Sequence, residues 1–339
     1  MAGGNPNSVA LLAPQQVLVM KKPQWANLRK KPPWAARAGK RSLLVDSAPP
    51  PRTLVRTWAT VEEVRVKLCR LPEWWVALVC ASASTIGPAD SLLHGVEVFS
   101  GAGHLSAAFK RIVGAWASFE VQDDESENIL AIDGVKLLLR RVLLVGLGGL
   151  VWLGTPCKSW VGLSRSFTMR TTSAPQGPVP ALCSAKQRRY LKEHNCIAEI
   201  SALLLQTATH LGLDYCLEQP LSSLLFRYRA VRKALLETDA VSCYFQMNSL
   251  CGDSPKPLRL MTTAKFMSIF KEVTQRRKVP LQKTRKRLVT TGSNGSFTGN
   301  HSALRESSAY TPCMGVALAL CYQGRDVDNV LAALSLLGY

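Results

Sequence analysis

Residues 96–106 read Val-Glu-Val-Phe-Ser-Gly-Ala-Gly-His-Leu-Ser, and this stretch decides the fold class. An apolar run breaks at a Gly-x-Gly turn, Gly101 to Gly103, and apolar residues then return at helical spacing. Glycine permits a positive φ and lets a ligand approach the backbone closely, and a following helix begins with unpaired N–H groups. The stretch therefore predicts a strand, a tight turn of phosphate or nucleoside size, and a helix.

Two further apolar strands end in short motifs. Residues 153–160 read Leu-Gly-Thr-Pro-Cys-Lys-Ser-Trp, and residues 216–220 read Cys-Leu-Glu-Gln-Pro. From residue 95 onward, predicted strands alternate with predicted helices, which is typical of a parallel α/β sheet. The carboxyl ends of parallel strands meet at one edge, so we expect the motifs to converge on one crevice.

Together, the three motifs resemble those of the DNA C5-cytosine methyltransferase family over about residues 95–323, as a divergent member. The resemblance implies an α/β, Rossmann-like methyltransferase fold with a mostly parallel sheet flanked by helices, and S-adenosylmethionine as cofactor. An acid at the end of the second strand would bind the ribose hydroxyls. Glu120 is the first candidate for this acid, and Asp123 is the second. The residues of the cofactor turn that the resemblance implies are Phe99, Ser100, Gly101, Ala102 and Gly103.

The same resemblance assigns Cys157 as a nucleophile and Glu218 as a proton donor. A thiolate adds to C6 of cytosine, which turns C5 into a carbon nucleophile toward the sulfonium methyl group. Glu218 would protonate N3 of the flipped base. Two neighbours depart from the family pattern: Lys158 replaces a usual Gln, and Gln219 replaces a usual Asn. A small buried Cys and a capping or ion-paired Glu are the structural alternatives.

The later motifs are weaker. Residues 250–257 keep only a glycine, a proline and a basic residue of the family's arginine motif, so Arg165 and Arg259 are the candidates for its base and backbone contacts. Residues 265–287 hold nine Lys or Arg against Glu272 alone, a pattern that favours phosphate contacts or, alternatively, a solvated charge run or nuclear-import signal. The predicted nucleic-acid-binding residues are Lys158, Arg165, Arg276, Arg277, Lys278, Arg285, Lys286 and Arg287.

Composition restricts the partners. The 339 residues carry 42 Lys or Arg against 23 Asp or Glu, a formal charge of +19 that indicates a nucleic-acid partner, DNA first, ahead of a membrane. Ten cysteines without a CxxC pair and five histidines outside metal-ligand spacing predict a reduced, intracellular protein without a metal. We expect a nuclear location, and organelle targeting by the basic N-terminus stays open. The apolar runs are too short to span a bilayer, and nothing in the sequence indicates an oligomeric state.

The chain is predicted to contain five segments. They are a basic disordered tail at 1–60, an accessory helical segment at 61–94, a methyltransferase-like catalytic domain at 95–262, a short basic nucleic-acid-contacting segment at 263–308, and C-terminal helices at 309–339 that return to the core. Within the catalytic domain, we predict strands at 96–100, 116–121, 149–153, 214–218, 241–247 and 258–262. The helices that we predict there lie at 103–112, 124–145, 184–211 and 221–237, and a mobile loop lies at 161–182. A last predicted helix, at 312–323, follows this domain.

Methyl transfer from S-adenosylmethionine to C5 of cytosine in DNA is the function that the sequence favours. A catalytically degenerate nucleic-acid-binding protein, associated with a mobile element, is the first alternative, because Lys158, the weak arginine motif and the short recognition region depart from the family. An RNA-directed methyltransferase is the second, since a similar site can act on structured RNA.

Overall fold

A six-stranded sheet forms the centre of the protein. The computed structural model describes residues 54–252, 256–277 and 309–339 fully, and residues 289–291 and 297–299 by their backbone. The strands of the sheet are β1 (Leu93–Val98), β2 (Trp116–Phe119), β3 (Val145–Leu153), β4 (Asp214–Pro220), β5 (Val241–Gln246) and β6 (Pro257–Thr262). Two more strands, β7 (Val289–Thr291) and β8 (Phe297–Gly299), pair with each other.

Helices cover both faces of this sheet. They are α1 (Val61–Lys67), α2 (Glu73–Ala83), α3 (His104–Ile112), α4 (Ile132–Leu143), α5 (Arg165–Thr168), α6 (Ala185–His210), α7 (Arg229–Glu237), α8 (Met267–Arg276), α9 (Pro312–Tyr322) and α10 (Val327–Leu336). The cluster of buried apolar residues on one face includes side chains from α1, α2, α4, α6 and α7. On the other face, α3 packs against α9, which also contacts α8 and α10. None of the described helices has the length and apolarity that crossing a bilayer requires.

The sheet order is β2-β1-β3-β4-β6-β5. Strands β1 to β4 are mutually parallel, whereas β6 is antiparallel to both of its neighbours. After β1 the chain builds β2 on one side of it and then β3 on the other, so the topological switch point lies between β1 and β3. Ligands of open α/β sheets bind at this point, outside the carboxyl ends of the strands.

The central strands are apolar because both of their faces are covered. Residues 150–153 of β3 and 215–217 of β4 are fully buried. Side chains alternate between the two faces of a strand, so Glu97 and its register partner Trp152 share the face opposite the core cluster, where Ser106 of α3 hydrogen-bonds to Glu97. Glu218 lies on the same face, because Trp152 pairs with Cys216.

The N-terminal helices belong to the same hydrophobic core as the sheet. Val64 of α1 and Trp75 of α2 are buried in the core cluster with residues of α4 and α6. The indole Nε1 of Trp75 donates a 2.8 Å hydrogen bond to Thr207 of α6, and Nε1 of Trp58 donates one of 3.2 Å to the Leu143 carbonyl.

The predicted α/β alternation and mostly parallel sheet are confirmed, and several boundaries differ. The helix expected at 124–145 is only Ile132–Leu143, and β3 begins at Val145 instead of residue 149. The side chain of Asn128 accepts a hydrogen bond from the Leu130 amide, and Gly134 packs so tightly on Asn128 that a Cβ there would lie 2.1 Å from its carbonyl oxygen. The chain therefore turns at Asn128 before the helix begins.

Two other predicted boundaries are also wrong. The helix expected from residue 221 begins as a short 3-10 turn at Leu224–Arg227, and α7 starts only at Arg229 because Tyr228 is extended. The segment at 263–308, for which no helix was predicted, contains α8, whose Phe270 and Val273 are buried. Their three-residue spacing places them on one helix face, and the surrounding basic residues obscured that pattern.

Candidate functional site

The turn after β1 has the backbone conformation that its glycines allow. Gly101 has a φ of 53° and Gly103 a φ of 69°, both in the left-handed region, and Phe99 also has a positive φ of 62°. A Cβ built on either glycine would meet nothing within 4 Å. The space above the turn is therefore open, and glycine is required there by backbone conformation rather than by crowding.

Glu120 joins this turn to the one after β2. Its carboxylate accepts hydrogen bonds from the amide of Gly101 at 2.9 Å and from the amide of Gln122 at 3.1 Å. Glu120 is buried and follows directly after β2, which ends at Phe119 instead of the predicted residue 121. Asp123, the second candidate, is exposed, and its amide donates to the Glu120 carbonyl at 2.9 Å. Of the remaining turn residues, Ser100 is buried and Ala102 exposed.

A buried acid in β1, Glu97, was missed by the sequence analysis. Its Oε2 accepts hydrogen bonds from the amide and hydroxyl of Ser106, at 2.8 and 2.5 Å. Its Oε1 is buried and has no hydrogen-bond partner among the described residues. Burial raises the pKa of Glu97 to about 7. The available signal was an acid inside an otherwise apolar strand, two residues before Phe99.

The loop after β3 carries Cys157 to the switch point. The amide of Gly154 donates to the Val98 carbonyl at 3.0 Å, so the loops after β1 and β3 are in contact. A Cβ on Gly154 would lie 2.7 Å from the hydroxyl of Tyr310. Cys157 is half-buried and begins a short 3-10 turn, Cys157–Ser159, in which Lys158 is exposed.

Glu218 is held by a tyrosine that sequence reasoning did not assign to the site. The Tyr310 hydroxyl donates a 3.0 Å hydrogen bond to Oε2 of Glu218 and accepts one of 3.1 Å from Nε1 of Trp152. Oε1 of Glu218 is buried and lacks a hydrogen-bond partner in the part of the chain that the structure describes. Burial raises the pKa of Glu218, and Lys256 and the Tyr310 hydrogen bond offset part of that rise.

Lys256 brings a positive charge to the Cys157–Glu218 pair. It lies just before β6, and because β6 is antiparallel, its amino end lies at the same edge as the carboxyl end of β4. Burial raises the pKa of the Cys157 thiol; Lys256 lowers it, Glu218 raises it, and Lys158 has a smaller lowering effect. In the sequence, Lys256 is recognisable only as the basic residue of the weak arginine motif at 250–257.

The side chain of Gln219 positions the loop of Cys157. Its side-chain Nε2 donates a hydrogen bond to the Thr155 carbonyl, and its Oε1 accepts one of 2.8 Å from Ser223. The end of β4 is thereby fastened to the chain two residues before Cys157.

The stretch predicted to be a mobile loop, 161–182, is packed around Arg170. This side chain is only 1% exposed, stacks 3.7 Å from the centre of the Trp160 ring, and donates a 3.0 Å hydrogen bond to Ser159. Burial lowers its pKa to about 10. Arg165, in contrast, is exposed on α5.

The predicted nucleic-acid-binding residues have different surroundings. Arg276 forms salt bridges with Glu272 and Asp328. Arg277 contacts two cysteine sulfurs. Arg259 faces away from Glu218, because it pairs in register with Gln219, and it donates to Ser242. Lys278, Arg285, Lys286 and Arg287 lie outside the described residues.

Comparison with known proteins returns no match to a protein-family model and no significant match to a curated protein. Within the described residues, no group of three or more His, Cys, Asp or Glu side chains could hold a metal ion.

Proposed function

We propose that the protein transfers the methyl group of S-adenosylmethionine to C5 of cytosine in DNA. The observation that supports this most strongly is the placement of Cys157 and Glu218 at one edge of the sheet, beside the switch point, where each lies within range of the charge of Lys256. A thiol nucleophile and a carboxylic acid in one crevice are what addition to a pyrimidine ring requires.

The turn after β1 fits the cofactor. Open space lies above Gly101 and Gly103, and Glu120 is fixed between the turns after β1 and β2. S-adenosylmethionine would supply an electrophilic methyl group on its sulfonium. Glu120 would accept hydrogen bonds from the ribose hydroxyls, with Phe99, Ser100 and Ala102 lining the same turn.

In the proposed reaction, Cys157 loses a proton to become the nucleophile, and Glu218 donates a proton to the base. Burial raises the pKa of Glu218 and so favours its protonated form, which would donate to N3 of cytosine from Oε1 while Tyr310 holds Oε2. When Glu218 is neutral, it no longer raises the pKa of Cys157, and Lys256 then favours the thiolate. Protonation of Glu218 thus promotes the ionisation of the nucleophile.

The charge of the chain supports a nucleic-acid substrate. The formal net charge is +19, and the exposed Lys158 and Arg165 lie beside the Cys157 loop. Such charges bind the phosphate backbone regardless of sequence. DNA in the nucleus is the substrate and location that we propose.

The test is a calorimetric titration with S-adenosylmethionine, followed by transfer of a labelled methyl group to cytosine-containing DNA and to the same sequence as RNA. Cys157→Ser and Glu218→Gln should abolish transfer and keep cofactor affinity. Cys196→Ser is the matched control, because Cys196 is also half-buried but lies on α6. Label in RNA alone would select the RNA-directed enzyme.

A second candidate is a nucleic-acid-binding protein without turnover. Arg259, one of two candidates for the arginine contacts, faces away from Glu218, which favours this alternative. Salt-dependent DNA binding without cofactor affinity would support it and exclude methyl transfer.

A further inference from the structure

Two cysteines outside the candidate site share one arginine. Nη1 of Arg277 lies 2.6 Å from the sulfur of Cys313, and Nη2 lies 3.1 Å from the sulfur of Cys251. A single guanidinium therefore holds two sulfur atoms side by side, although 62 positions separate the cysteines in the sequence.

The two thiols differ in their surroundings. Cys251 is exposed and follows the short 3-10 turn Met247–Leu250, whereas Cys313 is buried in the first turn of α9. The neighbouring Cys313 thiol and the charge of Arg277 lower the pKa of Cys251, and the neighbouring Cys251 raises the pKa of Cys313. The anion forms on the sulfur that water reaches, because an exposed thiolate loses less solvation than a buried one.

We propose that Cys251 and Cys313 form a redox-sensitive pair, in which Cys251 reacts with a peroxide and Cys313 closes a disulfide. An exposed thiolate next to a second thiol is the arrangement that sensor cysteines use. This oxidation requires no bound cofactor or nucleic acid, so it does not depend on the methyl-transfer reaction.

Hydrogen peroxide is the oxidant in this reaction. The Cys251 thiolate attacks one oxygen, an S–O bond forms, the O–O bond breaks, and the leaving hydroxide takes up a proton as water. The sulfur of Cys313 then attacks the sulfenic sulfur of Cys251: the S–S bond forms, the S–O bond breaks, and hydroxide leaves with the Cys313 proton as a second water. Two thiols are oxidised and one peroxide is reduced.

A disulfide between Cys251 and Cys313 would link the segment before β6 covalently to the start of α9. These parts already touch, because the Thr311 hydroxyl donates a 2.5 Å hydrogen bond to the Leu250 carbonyl. Tyr310 lies three residues before Cys313 and holds Glu218. Oxidation is therefore expected to shift the Tyr310–Glu218 contact, and the effect on methyl transfer is the one consequence that rests on the proposed function.

The test begins with the thiols of the whole chain. Cys69 is the matched control, since it is the other exposed cysteine of the ten, all of which lie in described residues. The pH midpoint for alkylation of Cys251 by iodoacetamide should lie below that of Cys69, and Arg277→Gln should raise it. Low concentrations of hydrogen peroxide should yield a tryptic peptide pair linked through Cys251 and Cys313, which a thiol reductant separates.

Two variants distinguish the roles of the sulfurs. Cys251→Ser should remove the linked pair, and Cys313→Ser should leave a sulfenic acid on Cys251 that dimedone captures. The alkylation profile and the peroxide-linked peptides of the wild type test the proposal even if Cys313→Ser fails to fold. The proposal is overturned if Cys251 is alkylated with the same pH profile as Cys69, or if peroxide links other cysteines while Cys251 and Cys313 stay reduced.

Discussion

The hydroxyl of Tyr310 donates a 3.0 Å hydrogen bond to Oε2 of Glu218 across 92 residues of sequence. This contact connects the start of α9 with β4, and it leaves Oε1 of the carboxyl for chemistry. It also gives the proposed acid a fixed orientation, since Trp152 holds the tyrosine from the other side at 3.1 Å.

Tyr310→Phe should therefore raise the pKa of Glu218 further, because the lost hydrogen bond lowers it in the wild type. As the pH rises, kcat/KM should fall when Glu218 loses its proton. In Tyr310→Phe this fall should occur at a higher pH than in the wild type. Loss of orientation should reduce kcat about tenfold, equivalent to about 1.4 kcal/mol.

Tyr322→Phe is the control for this change, since the Tyr322 hydroxyl donates to the His94 carbonyl at 3.2 Å and is also buried. Each variant should lose about 1–3 kcal/mol of stability, measured by urea denaturation. An equal shift of the pH profile in both variants would show that Tyr310 has no specific effect on Glu218.

Gly103→Val should abolish binding of S-adenosylmethionine. Valine at a φ of 69° costs about 1–2 kcal/mol, and its side chain would enter the open space above the turn. Gly148→Val is the matched control, because Gly148 has a φ of 68° and equally open surroundings at the opposite end of β3 from Cys157. Calorimetry should find binding lost in the first variant alone; wild-type affinity in a folded Gly103→Val protein would remove the turn from the cofactor site.

The reactivity of Cys157 should follow the charges around it. Lys256→Gln should raise the pKa of the thiol and slow its alkylation at neutral pH. Glu218→Gln should lower that pKa and accelerate the reaction at each pH at which Glu218 is ionised in the wild type. Lys158→Gln is the comparison, since its charge has a smaller effect. Peptide mass spectrometry after timed exposure to iodoacetamide measures all three. Equal rates for wild type and Lys256→Gln would place Lys256 outside the site.

The buried carboxyl of Glu97 should make stability depend on pH. Its pKa is 4.5 in an exposed setting and about 7 in the folded protein, so the folded state holds more protons between these values. Its contribution to stability is therefore present at low pH and falls by about 3 kcal/mol as the pH rises from 4.5 to 7.

Glu97→Gln isolates this effect, because burial lowers the pKa of His194 to about 4 and works in the opposite direction over an overlapping range. The free energy of unfolding of the wild type, minus that of Glu97→Gln, should decrease from pH 4.5 to 7 in urea titrations. A pH-independent difference would mean that Glu97 is not forced to hold its proton.

Local patterns were sufficient to predict the architecture. The apolar runs that end at Val98, Leu153 and Leu217 lie in mutually parallel strands, because burial on both faces leaves a mostly apolar run in the sequence. The turn glycines could also be predicted from local sequence, because a positive φ is a property of a single residue.

Contacts between distant segments could not be predicted. No periodicity connects Tyr310 to Glu218, or Arg277 to Cys251, because these pairs arise only when α8 and α9 pack on the finished sheet. The insertion of antiparallel β6 between β4 and β5 is equally non-local, and it is this insertion that brings Lys256 to the site.

Covalent trapping with DNA that contains 5-fluorocytosine tests the central claim most directly. Fluorine at C5 cannot leave as a proton would, so methyl transfer should stop at an adduct between Cys157 and C6. In the presence of S-adenosylmethionine, we predict a denaturation-resistant protein–DNA complex that maps to Cys157 and is lost in Cys157→Ser but kept in Cys196→Ser. Absence of an adduct in a folded protein that binds both cofactor and DNA, or an adduct that survives Cys157→Ser, would contradict the account.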